Sequence, residues 1–343
     1  MASQHPVVDA VEVQHARRRG IWPALGLFFT APLVAEFLMG NLPVKFLPAL
    51  IVLAPMYGGG ALLIREVVRR TGRGWPSILL LGMAYAIFEE AFTTQSLFNP
   101  NYLKLNLGLL APAYIPELGI GAWWTLWMFN VHAVWSMATP IALIEACVPD
   151  RARRPWLGRV GLAVLVIVFL FGATSTTAMG YRQDHYLASL RQFVAAAAVI
   201  VVLTAAAFVV PKGGRIAAVE KAPSAWIAGA VALLFGSAAL FVPKEWGWGA
   251  VAELLGLDIV MLLATLVWSR RSDWGLKHQL ALGGGAALAY GWHAFLQHPA
   301  VGGVDASVRA GNAIFLAGAI GLRGGRGSSR HGVSCLPAPR RLA

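Results

Sequence analysis

The sequence predicts an all-α protein, a polytopic transmembrane helical bundle of about ten spanning helices with both termini in the cytoplasm. Of the 343 residues, 57% are hydrophobic and only 13% are charged, whereas soluble domains carry about 25% charged residues. The apolar residues are grouped in runs of about 20, the length that crosses a hydrocarbon layer roughly 30 Å thick. Lysine and arginine lie in short clusters between these runs, as in the cytoplasmic loops of membrane proteins.

The predicted transmembrane domain covers residues 21–322 and contains ten apolar runs of spanning length. The last run is the weakest because it is short and glycine-rich, and without it the count is nine. Residues 1–20 are predicted to be a cytoplasmic N-terminal segment, and residues 323–343 a disordered cytoplasmic tail. The predicted spans are 21–40, 47–67, 76–97, 122–148, 157–179, 190–210, 224–242, 250–268, 279–297 and 306–322.

The distribution of basic residues predicts the orientation. Of the 28 lysines and arginines, 22 fall on the cytoplasmic side when the N-terminus is placed inside. This bias persists at every pair of loops, as the positive-inside rule requires. We therefore predict a multi-pass protein of the plasma membrane, in contact with the lipid bilayer. The net charge of +12 is accounted for by these loops, and no basic face suited to nucleic acid is present.

Two further features bound the fold. Residues 98–121 are too polar and too rich in proline to span the bilayer, and Asn99-Pro100-Asn101 is expected to end the third helix. We predict that this segment is an interfacial or re-entrant cap on the outer face. Two cysteines, Cys147 and Cys335, exclude both a disulfide scaffold and a cysteine-based zinc cage.

Ionisable residues inside the spans are the candidates for function, because such groups are costly in hydrocarbon. Spans five to seven contain essentially none and are predicted to be lipid-facing scaffold. Depth along the helices places most of the others in the middle-to-outer half of the bilayer, which predicts a polar cavity there, whereas Glu145 lies near the inner end of its helix. These residues are Glu36, Glu89, Glu90, His132, Glu145, Glu253, Asp258 and His293.

Two groups near these candidates are interpreted as structural. Arg65 and Glu66, at the inner end of the second span, are interpreted as boundary charges whose heads reach towards water. The glycine triplets 58–60 and 283–285 lack the Lys-Ser/Thr of a phosphate-binding loop, so we expect them to permit close packing of helices.

The pair Glu89-Glu90 is the sharpest feature. Adjacent positions on a helix point about 100° apart, so Glu89 and Glu90 form a broad polar wedge, with Thr93 and Thr94 one turn later. One interpretation is a general base together with a metal or water ligand. The other is a hydrogen-bond network that ties helices together.

Two histidines could complete a metal site. His132 lies on the fourth span, and His293 lies on the ninth with Gln297 at helical spacing. Two histidines, one carboxylate and a water form an established catalytic zinc set. The predicted metal ligands are therefore His132, His293 and Glu90, with zinc or another divalent metal as the cofactor. The alternative is that each histidine is a satisfied core residue.

The order of these residues resembles the CPBP family, the Abi or CAAX-protease-like intramembrane proteases. That family has Glu-Glu-x-x-x-Arg, then Phe-x-x-x-His, then His-x-x-x-Asn or Asp on three helices. Here Glu89-Glu90 is followed by Thr94 at the arginine position, Met128 stands where phenylalanine precedes His132, and His293 is followed by Gln297. The resemblance implies that Glu89 and Glu90 activate a water, that His132 and His293 hold the water or a metal, and that Gln297 stabilises an oxyanion.

Three functions remain open from the sequence. The first is an intramembrane hydrolase or protease that acts on a peptide or lipid-linked substrate. The second is a small-solute or proton-coupled transporter that uses the same cavity, for which Glu145 is the only evident continuation towards the inner face. The third is a non-catalytic membrane scaffold.

Overall fold

A computed structural model describes residues 21–211 and 220–324. Within these ranges the chain forms ten continuous helices at the predicted positions, so the prediction of an all-α membrane bundle is confirmed. We label the helices α1 to α10. They are α1 Ile21–Leu38, α2 Val44–Arg70, α3 Trp75–Phe88 continued by Glu89–Thr93, α4 Ala122–Cys147, α5 Arg159–Asp184, α6 Leu190–Val209, α7 Ala225–Leu240, α8 Trp248–Ser269, α9 Leu276–His293 and α10 Ala306–Gly324.

Six of these helices, α1, α2, α4, α5, α6 and α8, are long and apolar enough to cross a membrane. The predicted N-terminal segment, residue Cys335 and nearly all of the predicted tail lie outside the described residues. The orientation of the termini stays a prediction.

Three helix ends differ from the prediction by four residues or more. Helix α3 ends at Thr93 rather than at residue 97, so Asn99-Pro100-Asn101 is not what ends it. Helix α5 continues beyond residue 179 to Asp184 and stops where His185 adopts a left-handed conformation, with φ of 53°. Helix α9 ends at His293, and the chain then turns through short-range hydrogen bonds such as Leu296 N–H to the His293 carbonyl at 2.8 Å. Pro299 follows closely, and a proline disfavours helical backbone in the residue before it. The expectation that His293 and Gln297 share one helix is therefore wrong.

The helices divide into a packed interior and a surface layer. Helix α9 packs against α7, α4 and α10, and α3 packs against α4 and α6. Only 17% of the apolar window of α5 and 11% of that of α6 is buried, in agreement with the predicted surface position of these two spans. Helix α7, which was predicted to belong to the same layer, instead packs closely against α9. Helix α8 is also a surface helix, and Glu253 on it is exposed, so Glu253 does not line an internal cavity. Asp258 is half-buried and accepts a hydrogen bond from Asn130 at 3.0 Å.

The glycine triplets lie at helix crossings, as expected. A Cβ added at Gly58 of α2 would lie 1.9 Å from the carbonyl oxygen of Phe28 in α1. A Cβ added at Gly285 of α9 would lie 2.2 Å from the carbonyl oxygen of Gly229 in α7. In both cases the obstacle is backbone, which cannot move aside as a side chain can. These glycines set the separation of the helices that they join.

We expect Gly58→Ala to destabilise the protein strongly, because the new methyl group would force α1 and α2 apart. Overpacking of this kind costs about 1–3 kcal/mol or more. The matched control is Gly256→Ala in α8, where an added Cβ meets nothing within 4 Å. Thermal unfolding of the purified variants in detergent measures both effects. Equal midpoints for the two variants would contradict the close approach of α1 to α2.

The segment between α3 and α4 forms a compact cap rather than a span. It contains the short helical turn Tyr102–Lys104 and a small antiparallel hairpin, with β1 Tyr114–Ile115 paired to β2 Ile120–Gly121. Asp184 at the end of α5 holds the start of the cap, since its carboxylate accepts from the Asn99 amide at 2.7 Å and from the backbone N–H of Leu103 at 3.0 Å. The interfacial or re-entrant placement of this cap stays a prediction.

The other end of α2 carries a buried ionic network, and the interpretation of Arg65 and Glu66 as boundary charges is wrong. Both residues are fully buried. The Arg65 guanidinium donates to Glu66 at 2.8 Å and to Glu145 at 3.0 Å, while Arg69 donates to Glu145 at 2.6 Å. The loop after α4 folds back over this end, placing the Trp156 ring 3.2 Å from the guanidinium carbon of Arg65. The loop encloses the charges, so they do not reach water.

Candidate functional site

The polar residues of the interior lie on distorted helical segments. Four segments within the described residues are π-helical: Leu33–Leu38 in α1, Ala54–Gly58 in α2, Glu89–Thr93 in α3 and Val131–Ala138 in α4. Such segments are rare and occur frequently at functional sites, because the wider turn changes the direction of its side chains. The four segments carry Glu36, Tyr57, the pair Glu89-Glu90, and His132.

Prolines lie in or near three of these segments, and threonines lie in and after the fourth. Pro55 lies within the α2 segment, Pro32 directly precedes the α1 segment, and Pro140 follows the α4 segment by one residue. A proline has no N–H for the regular helical hydrogen bond, so the backbone shifts around it. In α3 the Glu89 carbonyl accepts from the Thr94 N–H at 2.9 Å and from the Thr93 hydroxyl at 2.6 Å. Here threonine hydroxyls compete for the backbone acceptor.

Glu89, Glu90 and His132 form a buried cluster between α3 and α4. The Nε2 atom of His132 lies 2.7 Å from Glu90 Oε1, and its Nδ1 atom lies 3.1 Å from Glu89 Oε2. All three side chains are buried. One ligand atom from each residue lies within 4.8 Å of the others, so the group could hold a metal ion. Among the described residues, this is the one group of three or more histidine, cysteine, aspartate or glutamate side chains that is close enough to share a metal ion.

Hydrogen bonds from neighbouring side chains fix Glu90. Its Oε2 atom accepts from the Thr94 hydroxyl at 3.0 Å and from the Ser96 hydroxyl in a short contact. Ser96 in turn accepts from the indole N–H of Trp124 at 3.0 Å. Since Oε1 faces His132, both oxygens of Glu90 have assigned partners. Glu90 therefore orients the imidazole ring of His132.

Glu89 is the less constrained carboxylate. Although its Oε2 atom lies close to His132, this oxygen has no hydrogen-bond partner of acceptable geometry among the described residues. The buried hydroxyl of Tyr85, one helical turn earlier, lies close to the Glu89 carboxylate but makes no hydrogen bond of good geometry with it or with another described group. Leaving such atoms unpaired in the interior costs free energy. A ligand atom bound at Glu89 would remove that cost.

Two tyrosines enclose the His132 ring. Tyr57 stacks on it with ring centroids 6.2 Å apart, and Tyr85 meets it edge-on at 5.9 Å. Gly60 makes room for Tyr85, since a Cβ at that position would lie 2.4 Å from the tyrosine ring. A neutral imidazole donates through one nitrogen and accepts through the other. Enclosed in this way, His132 presents its Nε2 atom to Glu90, and its Nδ1 atom to Glu89 and to the Ser136 hydroxyl 3.4 Å away.

The structure brings some of the predicted site residues together and not others. Glu89, Glu90 and His132 meet, but His293 and Gln297 lie outside the cluster. The His293 ring packs against Phe241 at 5.1 Å, and the Gln297 amide donates to Asn41 at 2.6 Å. The predicted metal ligands were His132, His293 and Glu90, and in the structure Glu89 takes the place of His293 beside the other two. The catalytic and metal-binding roles of all five residues stay predictions.

Sequence reasoning missed two contributors to the site. Ser96 lies in the irregular turn after α3, where helical spacing gives no guide to its contacts. Tyr57 is a polar aromatic residue two positions after a proline in an apolar span, and that combination could have indicated that it belongs to the site. Glu36, another of the residues predicted to line a polar cavity, accepts a hydrogen bond from the Asn41 amide, whose nitrogen lies 3.2 Å from Glu36 Oε2.

A comparison with protein-family models places the chain. The model of an uncharacterized membrane protein family matches residues 27–316. The chain belongs to that family. The matched region includes the whole cluster of Glu89, Glu90 and His132, and also Glu36 and Gln297. No curated protein and no solved structure matches the chain. The family match supports a membrane protein and does not extend to the CPBP family.

Proposed function

We propose that the protein is an intramembrane hydrolase whose water-activating centre consists of Glu89, Glu90 and His132. One observation carries this proposal: Glu89 Oε2 is a buried carboxylate oxygen without a hydrogen bond, 3.1 Å from His132 Nδ1. A group that only tied helices together would use this oxygen, as Glu90 uses both of its own. The substrate would be a peptide or lipid-linked molecule that reaches the centre from within the bilayer, as in the CPBP-like proteases that the motifs resemble.

The residues present fit a divalent metal. Carboxylate oxygens and an imidazole nitrogen are ligands that zinc accepts, and catalytic zinc sites have three protein ligands and one open position. Glu89, Glu90 and His132 would each supply one atom, with the metal in place of the direct contact between Glu90 and the imidazole, and the unpaired Glu89 oxygen would gain a partner. When bound, such a metal lowers the pKa of a water ligand and polarises a carbonyl group.

The protein's own groups provide the proton transfers. Glu89 accepts a proton from the attacking water, whose oxygen forms a bond to the carbonyl carbon of the scissile ester or amide. The bond to the leaving oxygen or nitrogen then breaks, and the proton is returned to that atom. Glu90 is itself held by Thr94 and Ser96, so it fixes the position of the centre throughout. A positioned acid or base of this kind contributes about 10²–10⁴-fold to the rate.

Transport is the weaker candidate, because the one evident inner continuation of a polar path is a paired carboxylate. Glu145 is bound by both Arg65 and Arg69 and is not a free carboxylate on a path to the inner face. The hydrolase proposal includes the predicted plasma-membrane location with both termini cytoplasmic. In that orientation the centre lies towards the outer half of the bilayer.

The metal content of the purified protein tests this proposal. We expect about one zinc ion per chain in the wild type, consistent with a single three-ligand site. His132→Ala should lose zinc with an affinity decrease of more than about 100-fold, since even outer-shell changes cost 10–100-fold. Glu253→Gln removes an exposed membrane glutamate and serves as the control that keeps its zinc. If wild type and His132→Ala hold equal zinc, or neither holds any, the proposed metal centre is wrong.

A further inference from the structure

We propose that Glu36 binds a protonated amine, so that substrates of this protein carry an ammonium group close to the bond that is cleaved. The binding of an amine is inferred from the structure around Glu36 alone. Naming that amine as part of a substrate rests on the proposed hydrolytic function.

Glu36 is a carboxylate without a cationic partner. It lies on the π-helical end of α1 and is half-buried. Its Oε1 atom accepts from the Tyr57 hydroxyl at 2.7 Å, and its Oε2 atom accepts from the Asn41 amide at 3.2 Å. Both donors are neutral, and no lysine, arginine or histidine among the described residues forms an ion pair with Glu36. A charge in a membrane protein interior is costly unless it is paired.

The donors around Glu36 are held in fixed positions. Gln297 donates to the Asn41 side-chain oxygen at 2.6 Å, which leaves the Asn41 amide N–H₂ to face Glu36. The Asn41 backbone carbonyl accepts from Ala300 at 3.0 Å, which ties the turn after α1 to the turn after α9. Two segments far apart in sequence thus converge on this carboxylate. Such an arrangement is typical of a built binding site rather than of an incidental surface charge.

Tyr290 supplies an independent sign of a ligand. Its side chain is fully buried, and its hydroxyl has no hydrogen-bond partner among the described residues. The ring stacks on Trp135 with centroids 4.6 Å apart and packs with Val34 and Leu38, which flank Glu36 on α1. A buried hydroxyl that is held rigidly where α9 packs against the π-helical end of α1, and is left unpaired, indicates a polar group that binds there.

The hydrogen-bonding capacity of this site matches an ammonium group. A carboxylate has about four acceptor positions, and two of those on Glu36 are used by Tyr57 and Asn41. Two positions remain, and the Tyr290 oxygen offers a further acceptor. An ammonium group presents three N–H donors and one positive charge. It would therefore neutralise Glu36 and satisfy Tyr290 at the same time, which a neutral hydroxyl or a carboxylate could not do.

Tyr57 joins this site to the hydrolytic centre. Its hydroxyl binds Glu36, while its ring stacks on His132. An amine held by Glu36 is thus separated from His132 by a single tyrosine side chain. A substrate anchored there would place the bonds next to its amine at the cluster of Glu89, Glu90 and His132. Glu36 would act as a residue that selects and positions the substrate.

Binding of dodecylammonium to the full-length protein in phosphatidylcholine nanodiscs tests this inference. Dodecanol is the matched neutral probe, and sodium chloride controls for a small cation. We expect dodecylammonium to raise the unfolding midpoint of the wild type in a saturable manner, and the two controls to leave it unchanged. Glu36→Gln should raise the dissociation constant for dodecylammonium by more than about tenfold, because a charge-assisted hydrogen bond is lost. Glu253→Gln, which removes a carboxylate elsewhere in the membrane region, should bind as the wild type does.

Tyr290→Phe keeps the test decisive if Glu36→Gln does not fold. It removes only an unpaired hydroxyl, so the protein should remain stable while binding weakens by about two- to tenfold. Zinc content is measured on the same samples and should be unchanged in both variants. A wild-type protein that binds dodecylammonium but holds no zinc would contradict the proposed metal centre and would still support the amine site. An equal response to dodecanol or sodium chloride, or undiminished binding by both variants, would overturn the inference.

Discussion

Glu89→Gln is expected to reduce hydrolysis by about 10²–10⁴-fold, the contribution of a positioned general base. Glutamine has nearly the same shape as glutamate, so the packing around residue 89 should be preserved. It cannot accept a proton from water as a carboxylate does. The rate of product release from membranes that contain equal amounts of each variant, followed by mass spectrometry, measures the effect.

The control for this prediction is Glu253→Gln. It makes the same chemical change on the exposed face of α8 and should leave the rate unchanged. Glu90→Gln is expected to lower the rate as well, because Glu90 holds His132 through the 2.7 Å contact. A Glu89→Gln protein that folds and works within a factor of about two of wild type would rule out Glu89 as the base, since the expected loss is far larger.

Arg65→Met is expected to lower the free energy of unfolding by about 3–5 kcal/mol, the cost of removing one partner from a buried ion pair. Arg65 is fully buried and donates to Glu66, to Glu145 and to the backbone carbonyls of Ala152 and Arg154. Its removal would leave the carbonyls of Ala152 and Arg154 without this donor and would take one cationic partner from each buried glutamate, leaving Glu66 with Arg70 and Glu145 with Arg69. Unfolding of the purified protein in a titration of dodecyl sulfate against a mild detergent measures the change.

Lys45→Met provides the comparison for Arg65→Met. Lys45 pairs with Asp305 at 3.8 Å, and both side chains are about half exposed. Removing a charge from such a pair should not change stability measurably. If Arg65→Met were as stable as Lys45→Met, the buried network would not be what holds the loop after α4 against α2.

The helices could be predicted because the bilayer imposes strict rules on them. A chain crossing hydrocarbon must satisfy its backbone hydrogen bonds internally, so apolar runs of sufficient length have to be helical. The ends of α5 and α9 were less predictable, since they depend on the left-handed residue His185 and on the turn before Pro299. The buried position of Arg65 was not predictable, because it depends on a distant loop folding over it.

The candidate site was predictable in part, because adjacency in sequence and depth along a helix indicate which side chains can meet. Glu89 and Glu90 are adjacent, and depth along α4 placed His132 within reach of them. His293 was placed by depth alone, and depth does not say which way a side chain faces. Gln297 was placed by helical spacing, which fails once α9 ends at His293. The π-helical turns also changed side-chain directions in ways that regular spacing does not describe.

Oxygen-18 labelling tests the central claim most directly, because hydrolysis transfers one oxygen atom from water to the product. Membranes containing the wild-type chain are incubated in ¹⁸O-labelled water, and new carboxylic acids are identified by mass spectrometry. We expect products that carry a single ¹⁸O atom with the wild type and not with Glu89→Gln. Products that appear equally with both proteins, or wild-type membranes that yield no labelled acid, would contradict a hydrolytic centre at Glu89, Glu90 and His132.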